Sequence, residues 1–171
     1  MTSSKSLNLE KLRKIKLLIL DVDGVLTDGS IYYADDGSKG KSFNVQDGLG
    51  IRHLMARGLE VAVISGGVST AAENRVKYLG IKHWYIGVGE DKYPYFVQLK
   101  QTLQYSDEEI AYVGDDLPDL VVMQQVGFRV AVANAVQLVK ESADYITQRS
   151  GGMGAVREVC DLLLAHSQVV R

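Results

Sequence analysis

The chain has 171 residues, 46% of them hydrophobic and 23% charged, with a formal net charge of −2 and one cysteine. This is ordinary for a globular domain with a sizeable core; it excludes an intramolecular disulfide, and no basic stripe marks a nucleic-acid surface. No apolar run approaches the ~20 residues of a membrane span, and residues 1–6 lack the apolar core of a signal peptide, so a cytoplasmic enzyme with no membrane or nucleic-acid partner is expected.

Residues 7–14 have the pattern of a short amphipathic helix. The run Leu17-Leu18-Ile19-Leu20 then reads as a buried strand, and it ends abruptly in Asp21 and Asp23, two carboxylates spaced i and i+2. Two β-prone runs around a Gly/Asp-rich turn predict a hairpin over about residues 30–45. A helix is expected over 50–57, stopped by Gly58, and a second core strand over 59–64, ending at Ser65-Gly66-Gly67. A helix over 69–79 stops at Gly80. Residues 82–86 read as a strand, 95–103 as a helix and 110–113 as a strand ending in Gly114-Asp115-Asp116. A helix over 117–125 carries Pro118 near its start. Residues 128–132, a helix over 135–141, Tyr145-Ile146 and a last helix over 155–165 complete the chain. Cys160 falls in that helix and reads as a packed thiol. Strands alternating with helices predict a parallel α/β sheet.

In such a sheet the C-terminal strand ends share one edge, where ligands bind. Asp21, Asp23, Ser65, Asp115 and Asp116 would converge there, with Lys92 arriving from a loop or helix start. Burying like charges together is costly unless a cation compensates, so the acids ask for a metal ion. Asp21 and Asp115 suit Mg²⁺, Ser65 and helix-start amides suit phosphate oxygens, and Lys92 would neutralise charge. An Asp carboxylate can attack phosphorus, and a second can move the proton of the leaving oxygen. Asp119 is either a first-turn charge or a group that orients the site.

Four segments, Asp21-Val22-Asp23-Gly24-Val25-Leu26-Thr27, Ser65, Lys92 and Gly114-Asp115-Asp116-Leu117-Pro118-Asp119, resemble in order the four motifs of the haloacid dehalogenase-like (HAD) phosphohydrolases. The hairpin followed by Phe43-Asn44-Val45-Gln46-Asp47-Gly48, and the ending Gly151-Gly152-Met153-Gly154-Ala155-Val156-Arg157-Glu158, resemble more narrowly the KDO 8-phosphate phosphatases of that superfamily. The resemblance covers about residues 9 to 166. It implies one domain, residues 1–171, with a Rossmann-like HAD fold: a mainly parallel sheet flanked by helices, a hairpin insertion, no large cap domain and a C-terminal tail from about 166. It implies Mg²⁺ and a small phosphorylated sugar acid, in the making of the KDO sugar of Gram-negative lipopolysaccharide. It also implies a homotetramer in which the hairpins meet and neighbouring subunits cover each site.

Carried over residue by residue, Asp21 is nucleophile and metal ligand. Asp23 is general acid/base and lends its backbone carbonyl to the metal. Asp115 is the other ligand and Asp116 an outer one; Ser65 and Lys92 complete the catalytic set. Substrate contacts fall on Asp23, Asn44, Val45, Gln46, Asp47, Gly48, Arg52, Ser65, Gly66, Arg75 and Lys92. Gly67 and Met153 stand where the family often has arginine, which leaves the phosphoryl-transfer core intact but removes two cations. Two rivals remain: a HAD phosphatase for another phosphorylated metabolite, and a non-catalytic binding or regulatory subunit on the same scaffold.

Overall fold

The computed structural model describes residues 7–168, so residues 169–171 of the expected tail and residues 1–6 lie outside the described residues. Six strands form one sheet: β1 (Leu17–Leu20), β4 (Glu60–Ser65), β5 (His83–Ile86), β6 (Ile110–Gly114), β7 (Phe128–Ala131) and β8 (Tyr145–Ile146). Their order is β5-β4-β1-β6-β7-β8, and every neighbouring pair is parallel. Two short strands, β2 (Tyr32–Tyr33) and β3 (Lys39–Gly40), pair antiparallel as a separate hairpin. The helices are α1 (Leu9–Lys14), α2 (Val45–Ala56), α3 (Thr70–Leu79), α4 (Tyr93–Leu103), α5 (Leu120–Met123), α6 (Gln137–Ser142) and α7 (Ala155–His166).

All four residues of β1 and all five of β6 are buried, which is why both read as continuous apolar runs rather than alternating ones. From β1 the chain steps outward through β4 to β5, then returns to the other side of β1 to lay down β6, β7 and β8. Strand order therefore reverses between β1 and β6, and a crevice opens beyond their C-terminal ends. Leu20 pairs with Val113, which sets the last residues of β1 beside those of β6.

Three local expectations change. The hairpin ladder is shorter than residues 30–45, and α2 starts at Val45 rather than at residue 50. Asn44 is the cause: its side chain accepts the Gln46 and Asp47 amides at 2.7 and 3.3 Å, capping the helix. Gly48 and Gly50 weaken helix propensity, yet they let α2 pack closely. A Cβ on Gly48 would strike the Arg75 guanidinium on α3, and one on Gly50 would lie 3.0 Å from Cys160 Cβ on α7. The expected helix over 117–125 is a 3₁₀ turn, Leu117–Asp119, followed by α5. Cys160 is fully buried, as its position in a packed helix requires.

Candidate active site

A cleft of about 400 Å³ lies at the β1/β6 switch point and is lined by Asp21, Asp23, Ser65, Gly66, Lys92 and Asp115, among others. Asp21 follows directly from β1, and its amide still donates to Val113 O at 3.2 Å. Its Oδ1 accepts the Val22 amide at 2.7 Å and faces Lys92 Nζ at 3.0 Å. Lys92 sits at the start of α4 with 3% of its side chain exposed. Its ammonium bridges Asp21 and Asp119, the latter at 2.7 Å. Burial pulls the Lys92 ammonium down, but Asp21 and Asp119 more than offset this and hold it above its ordinary range.

Asp119 was only half legible in the sequence, and it is the hub of the site. Its Oδ1 accepts Lys92 and the Tyr112 hydroxyl, the latter at 2.6 Å, while its Oδ2 accepts the Asp115 and Asp116 amides at 2.8 and 3.2 Å. Both oxygens are thus already occupied twice. Asp119 is therefore both an acid in the first turn that caps it and a buried group whose bonds hold Lys92, Tyr112 and the Asp115–Asp116 backbone in place. Tyr112 is buried on β6, and burial together with Asp119 pushes its phenol well above the usual value, so it stays a donor. Gly24 has φ +86°, and a Cβ there would strike the Asp115 carboxylate, so only glycine lets Asp115 lie over the loop after β1. Asn134 clamps the same loop: its Nδ2 donates to Gly24 O at 3.0 Å and its Oδ1 accepts the Gly151 amide at 2.7 Å.

Two buried polar atoms in the cleft, Ser65 Oγ and Asp115 Oδ1, have no partner among the described residues. Unpaired buried oxygens are costly, and both residues line the cleft, where a phosphate and a cation could complete them. Asp21, Asp115 and Asp119 each offer an oxygen within 4.8 Å of the others. Since Asp119 is fully engaged, Asp21 and Asp115 are the carboxylates free to hold a hard cation, a donor set that fits Mg²⁺. Asp116 is exposed and spends Oδ1 on the Leu117 amide.

The remaining residues assigned to substrate lie outside this cleft. Asn44 donates to Gly152 O at 3.3 Å, Gln46 accepts from Arg149, and Arg75 donates to Asn44 O at 2.9 Å. Arg52 stacks on Tyr78 with 4.6 Å to the ring centroid, and Val45 is exposed. Asp47 and Gly48 are buried, and Asp47 Oδ1 accepts the Arg157 amide at 2.7 Å, which ties α2 to the first turn of α7. This second group lies on α2, its N-cap Asn44 and the facing α3, with the Gly151–Gly154 turn against Asn44 and Gln46 close to Arg149.

A family model described as haloacid dehalogenase-like hydrolase matches residues 89–158. The 3-deoxy-D-manno-octulosonate 8-phosphate phosphatase KdsC of Escherichia coli K12 is 51% identical over 154 residues, 90% of this chain and 81% of that protein. The chain belongs to the KDO 8-phosphate phosphatase family of HAD hydrolases. Among solved structures, a HAD superfamily hydrolase from Legionella pneumophila superposes with a TM-score of 0.91 at 52% identity, covering 92% of this chain and 86% of that one. The family enzyme of Moraxella catarrhalis, solved with magnesium, phosphate and KDO, superposes with a TM-score of 0.90 at 43% identity, covering 93% of this chain and 91% of that one. The α/β HAD fold expected from the sequence is therefore the fold observed.

In this family member the acids carry a pH signature. Burial, then the charge of Asp119, raises Asp21 to about 7 against the pull of Lys92, and burial with Asp21 raises Asp115 to about 8. Unfolded carboxylates titrate near about 4. Between these values the cation-free folded protein holds more protons than the unfolded chain, so its stability falls as pH rises through that window. A bound cation needs both groups ionised and removes that penalty. The rise in melting temperature produced by Mg²⁺ is expected to be larger above about pH 8 than near about pH 5. Equal shifts at both would contradict a cation held by Asp21 and Asp115.

Proposed function

We propose that the chain is a Mg²⁺-dependent phosphatase that hydrolyses 3-deoxy-D-manno-octulosonate 8-phosphate to KDO and phosphate. The observation that carries this reading is the convergence of Asp21, Ser65, Lys92 and Asp115 at one switch point, with Ser65 Oγ and Asp115 Oδ1 buried and unpaired. Bound Mg²⁺ would neutralise the clustered acids and the phosphate.

The chain's own residues then carry the reaction. Ser65 Oγ and Lys92 hold phosphate oxygens. An Asp21 oxygen forms a bond to phosphorus as the bond from phosphorus to the ester oxygen breaks. Asp23 passes a proton to that leaving oxygen. Asp23 next takes a proton from water as the water oxygen attacks phosphorus, which breaks the bond to Asp21 and frees phosphate. Lys92 stays charged throughout and offsets the charge on Asp21.

A second reading has one observation in its favour. Gly67 lines the cleft with no side chain, and Met153 is 59% exposed, where family members often carry arginine. A different phosphorylated metabolite is the alternative substrate. Comparing kcat/KM across a panel of phosphosugars with Mg²⁺ decides between them. KDO 8-phosphate is expected to exceed common sugar phosphates by about 100-fold or more, the scale of a few well-placed polar contacts. A ranking below several of them would overturn the substrate, and no phosphate release from any substrate would favour a non-catalytic subunit.

The same reading includes one domain, a cytoplasmic site of action on a phosphorylated metabolite, and a homotetramer. Ile31, Tyr32 and Tyr33 on the hairpin, with Val45 and Val68, are exposed apolar side chains near the cleft mouth or α2, and a neighbouring copy would cover them. The Asn44–Gly48, Arg52 and Arg75 group, displaced from its own cleft, would then serve a neighbour's. Among the described residues no helix is long and apolar enough to cross a membrane.

A further inference from the structure

Asp23 has one side-chain partner among the described residues, and it comes from the hairpin. Lys41, the residue after β3, brings Nζ to 2.5 Å from Asp23 Oδ1. The Lys41 side chain is 6% exposed, and Lys41 does not line the cleft. Asp23 does line it, with 32% of its side chain exposed. Gly67 stands beside this pair: a Cβ there would lie 3.1 Å from Asp23 Oδ2 and 4.0 Å from Lys41 Nζ. Asp23 Oδ1 is thus engaged by Lys41, while Oδ2 lies next to the side-chain-free Gly67, and Asp23 and Gly67 both line the cleft.

We infer that Lys41 is a positioning residue: it fixes Asp23 Oδ1 so that Oδ2 is the oxygen presented to the leaving group. The inference rests on the acid/base role of Asp23 proposed above. Asp23 stands on the tight turn made by Gly24, whose φ is +86°, and a partly exposed carboxylate there is otherwise free to change rotamer. A short charge-assisted bond to a buried ammonium removes that freedom, and proton transfer depends steeply on such placement. Lys41 does not touch the substrate. It acts through Asp23, and it makes the hairpin part of the catalytic apparatus.

The chemistry supplies a selective readout. An alkyl ester leaves as a strongly basic alkoxide that needs the Asp23 proton, whereas p-nitrophenyl phosphate leaves as a stable phenolate that does not. First-turnover release of alcohol from KDO 8-phosphate and of nitrophenolate from p-nitrophenyl phosphate is measured with saturating Mg²⁺ for the unaltered protein, Lys41→Met, Lys41→Arg and Asp23→Asn. Lys41→Met is expected to slow alcohol release by about 100-fold and nitrophenolate release by less than about threefold, with Lys41→Arg restoring most of the loss. Retained nitrophenolate release also shows that the variant is folded and that Asp21 still attacks. Asp23→Asn should show the same selectivity, more strongly. If Asp23→Asn is selective and Lys41→Met slows both esters equally or neither, the positioning role is overturned while the role of Asp23 stands. If Asp23→Asn itself slows both equally, the acid/base reading falls, and the inference falls with it.

Discussion

Replacing Asp21 by asparagine is expected to reduce kcat for phosphate release by at least about 10⁴-fold, the scale seen when a nucleophile is removed. The amide is nearly the same size, so the buried position after β1 still fills and the sheet still forms. What is lost is chemical. The amide oxygen is a poor nucleophile, and it replaces one of the two carboxylates available to a cation, so Mg²⁺ binding should weaken as well. The loss should persist at saturating Mg²⁺ and substrate, because the missing step is bond formation to phosphorus rather than binding. An Asp21→Asn protein within about tenfold of the unaltered rate would remove the covalent mechanism.

Lys92→Met is the second large effect, and it reaches stability as well as rate. The ammonium bridges Asp21 at 3.0 Å and Asp119 at 2.7 Å in a setting where all three side chains are at most 10% exposed. Methionine keeps the apolar stem but leaves two buried carboxylates without their cation. Breaking a buried pair in this way costs about 3–5 kcal/mol where Asp21 is ionised, measurable by chemical denaturation above about pH 8. The cost should shrink in mild acid, where Asp21 takes up a proton and no longer needs the ammonium. In the active protein kcat should fall by about 10²- to 10³-fold, as when a preorganised charge is removed from a developing anion. A Lys92→Met protein as stable as the unaltered one and nearly as fast would show that Lys92 is a solvated lysine in function if not in place.

The parts of this site that could be read in the sequence are those that close a strand. Leu17–Leu20 and Ile110–Gly114 are buried on both faces, so their apolar runs are unbroken and the acids that follow stand out. Ser65 and Lys92 were legible through their order along the chain. Lys41, Tyr112 and Asn134 were not. Tyr112 looks like one more core residue of β6; only the turn that folds Asp119 back onto it gives its hydroxyl a partner. Lys41 sits in a polar hairpin, where a lysine is ordinarily solvated, and its contact to Asp23 spans 18 residues of chain. Asn134 acts through two backbone groups, Gly24 O and the Gly151 amide, that no side-chain pattern marks. The start of α2 was obscured for a related reason. Gly48 and Gly50 count against a helix locally, and the packing that favours them lies on α3 and α7. Asn44 to Gly48, Arg52 and Arg75 are placed by the resemblance to known phosphatases, and they sit on α2, its cap and α3 rather than lining the cleft at the strand ends.

The central claim is that Asp21, not water, makes the first bond to phosphorus. It is tested most directly by the stereochemical course of hydrolysis, in isotopically labelled water, of a phosphorothioate analogue of the substrate made chiral at phosphorus with oxygen isotopes, which releases a chiral inorganic thiophosphate. Attack by Asp21 followed by attack of water is two in-line displacements, and the account predicts net retention of configuration. Net inversion would mean a single displacement by water and would contradict it.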